Sequence, residues 1–494
     1  MVAGLCPIAV FLAFYYTDVM NQKPLRLPLF GPASFYKEIL AIAIPVMAQQ
    51  AIQSLVSLID NFMVAGLGDA KMAGVNVANQ VNFVYLVVMM TLSGAGGIYM
   101  SQFRGAKDVD GMRQAYRFKA IMTMSVSALY FSLCQTMPVA LISMMTQGNA
   151  AQAEIVINGA QYLRIVSWLF IPMGLSQAIG TAFREIGRPH VPLTISVCAT
   201  LVNTFFNWVL IYGNLGAPRL EIAGAAIATN IARGVEVVAF VIYAHHSKVP
   251  FFVPLSQLLR ARWSLFREIL RKSSLMLLSE TSWVVSETVT TALYNGRGGA
   301  EVVAGMSAGW AIANIFFLVF TGIHVSTGVV VGSLLGADRL DEARMRARWI
   351  MSGSVVAGTA LALVQVASIA AVPLVFMNLT HDAIAVTRGL LLVISAYLPL
   401  WSLLNAQFAV SRSGGDMMMG VVVDVGITYI LFIPGAFALA FLTPIGPVAM
   451  YGLVKLTDFA KWFVAFQWLK KERWLKNLAA PAASRAEPAA VSIP

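Results

Sequence analysis

ILAIAIPVMAQQAIQSLVSLIDNFMV, residues 39–64, carries a single charged side chain, Asp60, and the reading of this run decides the fold. At roughly 1.5 Å per residue, a helix of this length crosses a hydrocarbon core of about 30 Å. Asp60 lies far beyond Glu38, where the run begins, and about two turns before Gly68, where it ends. An ionised Asp at mid-bilayer costs on the order of 2.5–3.5 kcal/mol, so the side chain is a candidate functional group rather than a helix-end anchor.

Composition extends this reading to the whole chain. With 58% hydrophobic and only 12% charged residues among 494, and a mean hydropathy of +0.74, the sequence is too apolar for a water-soluble domain. The net charge of +11 does not indicate nucleic acid, because the basic residues gather in short clusters at alternate gaps between apolar runs. Cys6, Cys134 and Cys198 are odd in number, far apart and embedded in apolar sequence, so neither a disulfide framework nor a zinc site is indicated and packing is expected.

Hydropathy predicts twelve spans, near 39–65, 72–102, 116–142, 157–182, 190–213, 221–245, 268–295, 302–332, 347–376, 384–411, 417–442 and 446–469. One side of the membrane collects Lys23, Arg26 and Lys37, then Arg104 to Lys119, Arg184 with Arg188, Lys248 to Lys272, Arg339 to Arg348, Arg412, and Lys470 to Arg485. The other side has Lys71, Arg219 and Arg297, so both termini are expected in the cytoplasm. Met20, ahead of Lys23 and Arg26, reads as a start residue, with residues 1–19 an upstream extension of a leader covering 1–37.

The halves repeat at an offset of about 230. Glu38-Ile39-Leu40 returns as Glu268-Ile269-Leu270, Arg104-Gly105-Ala106 as Leu335-Gly336-Ala337, and Pro172 to Gly187 as Pro399 to Gly414. Arg233 with Glu236 is echoed by Lys455 with Asp458, and the i, i+3 spacing predicts that each pair neutralises itself on its own helix. An even number of spans per repeat places the pseudo-twofold axis along the membrane normal. The expected fold is therefore an all-α polytopic membrane protein, with twelve transmembrane helices in two six-helix lobes. The N-lobe is expected over 38–246, a linker over 247–267, the C-lobe over 268–471 and a disordered tail over 472–494.

Four segments carry a family resemblance: the SLIDNFMVAGLG stretch at 57–68, Ser101 to Ala106, Phe183 to Pro189, and Gly332 to Ala337. In these, and in their order over about 35–470, the chain resembles the multidrug and toxic compound extrusion family. The resemblance implies a bacterial inner-membrane antiporter, acting as a monomer, that expels amphipathic and often cationic drugs in exchange for H+ or Na+. Asp60 matches the family's coupling acid in the first span. Asn203 and Asn207 match its polar pair in span 5, where many archaeal-type relatives have Asp at the second position. Ala225 and Thr229 match the span-6 residues that complete a sodium site in some relatives. A sodium ion at Asp60, Asn203 and Thr229 would meet one carboxylate and neutral oxygens, a set suited to a small hard cation.

In the other half the family often places acids in spans 7 and 10. Glu280 and Glu287, two turns apart on span 7, are candidates for cation coupling, whereas span 10 has only Ser402, Asn405 and Gln407 and no acid. Asp424 in span 11 is the remaining acid that could compensate, and His324 in span 8 reads as a satisfied histidine. Met47, Gln49, Phe83, Met276, Trp283, Tyr294 and Trp310 are candidates for lining a cavity, since thioethers and ring faces accept varied organic cations. There is no Walker A sequence, His-Glu-x-x-His pair or nucleophile elbow, so neither an enzyme nor a cofactor is expected. A flippase for lipid-linked saccharides and a narrow-substrate metabolite exporter are the rival readings within the superfamily. A channel is disfavoured by the lack of repeated pore acids.

Overall fold

The computed structural model describes residues 28–65, 69–147 and 152–480, so the proposed extension over 1–19 lies outside the described residues. The N-lobe comprises α1 (Ala33–Ala65), α2 (Asp69–Gly105), α3 (Val109–Thr136), α4 (Gln152–Glu185), α5 (His190–Tyr212) and α6 (Glu221–His246). The C-lobe comprises α7 (Trp263–Asn295), α8 (Ala300–Gly336), α9 (Leu340–Val375), α10 (His381–Ser413), α11 (Met418–Leu442) and α12, which is broken into Pro447–Val454 and Thr457–Lys470.

Among the described residues, nine of these helices are long and apolar enough to span a membrane by composition, ten counting the bent α3. The two that fall short have local reasons. Six charged residues, including Glu280 and Glu287, lie along α7, and Lys455 sits at the break in α12.

Local sequence explains the ends and bends. Asp108 caps α3 by accepting the Gly111 N–H at 2.9 Å. Pro138 starts a short helix, Pro138–Met145, that turns 86° from α3. In α4 a tight turn at Ser167–Leu169 precedes Pro172, which cannot donate to the carbonyl one turn back.

The lobes meet through α1, α2, α7 and α8. The contact is reciprocal. Phe35 and Ile42 of α1 are buried in the C-lobe core, and Phe266 and Ile269 of α7 are buried in the N-lobe core. A Cβ on Gly105 would lie 1.9 Å from the Ser333 carbonyl oxygen, and one on Gly336 would lie 1.8 Å from that of Gln102. Only glycine lets these backbones approach so closely. The two contacts are the same contact seen twice, as a pseudo-twofold axis requires. Further links between the lobes, Tyr99 to Glu268 at 2.8 Å and Arg346 to Glu38 at 3.1 Å, lie at the same basic face.

The linker is shorter than expected, because α7 already begins at Trp263. It is also not a free tether: Val249, Phe251, Val253 and Leu258 are buried in the N-lobe core. The expectation of disorder from 472 fails for the first part of the tail. Trp474, Leu475 and Leu478 are large apolar residues, and all three are buried. Residues 481–494 lie outside the described residues.

Candidate functional site

Each lobe contains a polar network. In the N-lobe, α5 presents Asn203 and Asn207 one turn apart on the same face, opposite α1 and α6. The Asn207 amide donates to Asp60 Oδ1 at 2.5 Å and to Asn203 Oδ1 at 3.2 Å. The Asn203 amide donates in turn to Thr229 Oγ1 at 3.3 Å, and the Thr229 hydroxyl donates to the Ala225 carbonyl at 3.0 Å. Asp60, Asn203, Asn207, Ala225 and Thr229, drawn from three helices, thus form one chain of contacts.

Two features of this chain bear on cations. Asn207 is fully buried, and its Oδ1 has no hydrogen-bond partner among the described residues. A buried carbonyl oxygen left unpaired costs about 1–3 kcal/mol, which marks it as an acceptor in want of a partner. Arg233, one turn beyond Thr229, lies within electrostatic reach of Asp60 but is paired with Glu236 at 2.9 Å. The pairing of Arg233 with Glu236 is as its spacing predicts, and only its nearness to Asp60 was missed in the sequence. The signal was the arginine's position midway along an apolar span, where a guanidinium needs more than one neighbour.

In the C-lobe, Glu280 pairs with Arg412 of α10 at 2.8 Å, and Glu287 pairs with Lys455 of α12 at 2.5 Å. This corrects the expectation that Lys455 neutralises Asp458. At the break in α12 the lysine turns to α7 instead, while Asp458 accepts the Trp401 indole N–H at 2.8 Å. Asp424 accepts the Ser279 hydroxyl at 2.5 Å. Lys461 lies between Asp424 at 3.7 Å and Asp458 at 3.8 Å. Asp424 sits in a π-helical stretch, Val421–Gly426, where the widened turn re-aims a side chain. Four carboxylates (Glu280, Glu287, Asp424, Asp458) therefore face three cations (Arg412, Lys455, Lys461). His324 shares a 2.8 Å hydrogen bond with Asn405.

The candidate cavity residues are scattered. Met47 fills the space beside Gly322 of α8, and Met276 lies against Gly94 of α2, so both sit between the lobes. Phe83 and Trp283 are half exposed. Gln49 is buried, with its amide donating to Ser196 and its oxygen accepting from Arg184, each at 2.7 Å. Tyr294 is also buried and accepts the Trp310 indole N–H at 3.2 Å. Gln49 and Tyr294 brace the walls of their own lobes and present no open surface.

Comparison with known proteins gives one consistent result. The profile of the family described as MatE matches residues 45–209 and 276–438. The chain is 25% identical over 320 residues to a probable multidrug resistance protein NorM of Geobacillus kaustophilus, covering 63% of this chain and 68% of that protein. It is 22% identical over 449 residues to the probable NorM of Halalkalibacterium halodurans, covering 88% and 94%. Among solved structures, a MOP superfamily transporter from Pyrococcus furiosus superimposes with a TM-score of 0.77 at 19% identity, covering 91% of this chain and 98% of that one. An outward-facing multidrug resistance MATE family transporter gives 0.76 at 18% identity, again covering 91% and 98%. Solved MATE transporters of this fold have twelve transmembrane helices in two lobes.

Proposed function

The chain belongs to the MatE family of membrane transporters, and from that premise we propose that it is a secondary active exporter of amphipathic, often cationic organic compounds, driven by inward movement of H+ or Na+. The observation that carries this reading is the Asp60–Asn207 contact, with the unpaired Asn207 Oδ1 beside it.

The contact has a direct chemical consequence. While Asp60 is ionised, the Asn207 amide N–H is its natural partner. A proton on Asp60 Oδ1 converts that acceptor into a donor, and a sodium ion likewise calls for an oxygen. In either case Asn207 turns over and offers Oδ1, which accounts for the oxygen that now has no partner. The turn breaks the bond to Asn203 and changes how α1 sits against α5. An ion that favours one packing over the other shifts the balance between outward-open and inward-open states.

The named contacts between the lobes all lie toward the basic face, which we assign to the cytoplasm by the positive-inside rule. This conformation is then the one closed to the cytoplasm, and the bacterial inner membrane is the site of action. One charge moved through about 100 mV supplies roughly 2.3 kcal/mol, near a fiftyfold gradient.

Dye efflux from proteoliposomes, with a proton or a sodium gradient imposed separately, tests the proposal. Export under one gradient and none without either is the expected result. Export that is indifferent to both gradients refutes it.

A further inference from the structure

After α12 the chain turns through Lys471–Trp474 and runs without helix along the seam between the lobes. It is first fastened to the C-lobe. Arg344 of α9 donates to both carboxylate oxygens of Glu472, at 2.6 and 2.8 Å, and Trp474 and Leu475 are buried in the C-lobe core. A Cβ on Gly414, at the end of α10, would lie 1.6 Å from the Trp474 carbonyl oxygen, so the backbone here rests directly on α10.

The segment then crosses. Leu478, 4% exposed, lies against Gly415 of the C-lobe and joins the core in which N-lobe side chains meet Phe266, Ile269 and Met417. Between the two anchors stands Gln102 of α2, fully buried, whose amide is shared by both lobes and the segment. Its Nε2 donates to the Ser413 carbonyl at 2.7 Å and to the Lys476 carbonyl at 3.2 Å, and its Oε1 accepts the Leu478 N–H at 2.6 Å. Asn477 adds a 3.4 Å bond to the Gly336 carbonyl, beside the glycine contact of α2 and α8.

The internal repeat supplies a comparison. The linker that follows α6 corresponds to the segment that follows α12, and its four buried apolar residues all stay in the lobe they come from. Covering one lobe's end thus does not require a crossing. The later segment crosses from Trp474 and Leu475 in the C-lobe core to Gln102 of the N-lobe.

We infer that residues 474–480 are a strap that holds the basic face closed, and that its release from Gln102 and from the Leu478 pocket accompanies opening of that face. The inference rests on the alternating-access reading above. Separation of the lobes at this seam would strip Gln102 of bonds to Ser413, Lys476 and Leu478 together. The strap therefore stabilises the closed state alone and sets how often the basic face opens.

The test places spin labels at Ala106→Cys and Ala337→Cys, exposed positions on opposite sides of the seam, in a full chain whose Cys6, Cys134 and Cys198 are replaced by Ala. Distance distributions in nanodiscs are compared for the full chain, a chain ending at Leu475, Leu478→Asp and Gln102→Ala. All three variants should raise the long-distance, open population by roughly tenfold. The two point variants, outside or at the end of helices, guard against misfolding of the shortened chain. Unchanged distributions in Leu478→Asp and Gln102→Ala overturn the strap, whether or not the shortened chain changes. Dye export by the same full chain is scored separately. A chain that exports with unmoved distances sinks the strap alone, and opened variants of a chain that exports nothing sink the transport reading alone.

Discussion

Lys455 and Glu287 close a 2.5 Å ion pair between α12 and α7, and the lysine ammonium also lies 5.7 Å from the centroid of Trp401, 5.1 Å from Phe432 and 5.3 Å from Tyr451. The C-lobe thus supplies Glu287 with a covalently tethered cation, itself held among three aromatic rings. Asp60 stands in contrast. Its recorded contact is a neutral amide, and Arg233 nearby is committed to Glu236. A diffusible cation has something to offer Asp60 that Glu287 already possesses.

Removing the tethered charge should therefore destabilise the C-lobe. Lys455→Met leaves Glu287 in its site without a counter-charge, at a cost of about 3 kcal/mol, while Lys455→Met with Glu287→Gln should recover most of the loss. Thermal unfolding in detergent reads both. Equal melting temperatures for the single and double variants would contradict the pairing.

Asp60→Asn should retain the fold and lose ion-driven export, since the amide cannot exchange a proton and is a poor substitute for a carboxylate at a cation. Asn207→Leu should do the same by removing the oxygen that answers the ion. Near-wild-type dye export in proteoliposomes by Asp60→Asn would refute the assignment of Asp60.

The surplus carboxylate of the C-lobe gives a test of opposite sign. Asp424→Asn leaves three acids against three bases and keeps a polar partner for Ser279, and Lys461 retains Asp458. Its stability to thermal unfolding should stay within about 1 kcal/mol of wild type or rise. A large loss, comparable with that of Lys455→Met, would show that Asp424 is fully compensated.

Gly336→Val and Gly105→Val should each force α2 and α8 apart, because the approaching atoms are backbone carbonyls and cannot move aside. The expected cost is about 1–3 kcal/mol, concentrated in the closed state. Labels at Ala106→Cys and Ala337→Cys would report longer distances in either variant, and unchanged distances would deny that the seam is a close backbone contact.

Much of the architecture was legible in the chain itself. The observed helices begin and end within seven residues of the apolar runs, because a bilayer imposes length and hydropathy on any segment that crosses it. The repeat offset near 230 was enough to pair Gly105 with Gly336, and the structure shows what the pairing does. The N-lobe residues Asn203, Asn207, Ala225 and Thr229 were named through the family resemblance, and the i, i+4 spacing within each pair is what places its two members on one helix face.

The C-lobe was harder to read. Lys455 and Asp458 have the spacing of a self-contained pair, yet the helix breaks between Val454 and Thr457, and the lysine finds α7 instead. A π-helical stretch around Asp424 likewise leaves no mark in hydropathy. In the tail, the alanines and prolines concealed three large apolar residues, and only the packed seam offers them a place to bury.

By itself, the sequence determined that the chain is a duplicated, twelve-span membrane protein with an acid inside its first span, because hydrophobicity, charge bias and repetition are properties of residues in order. The partner of each buried charge, the glycine contact that joins the lobes and the course of the strap were decided only in three dimensions. An ion pair or a hydrogen bond depends on angstrom-scale distance between helices that lie hundreds of residues apart in the chain, and that distance is set by packing.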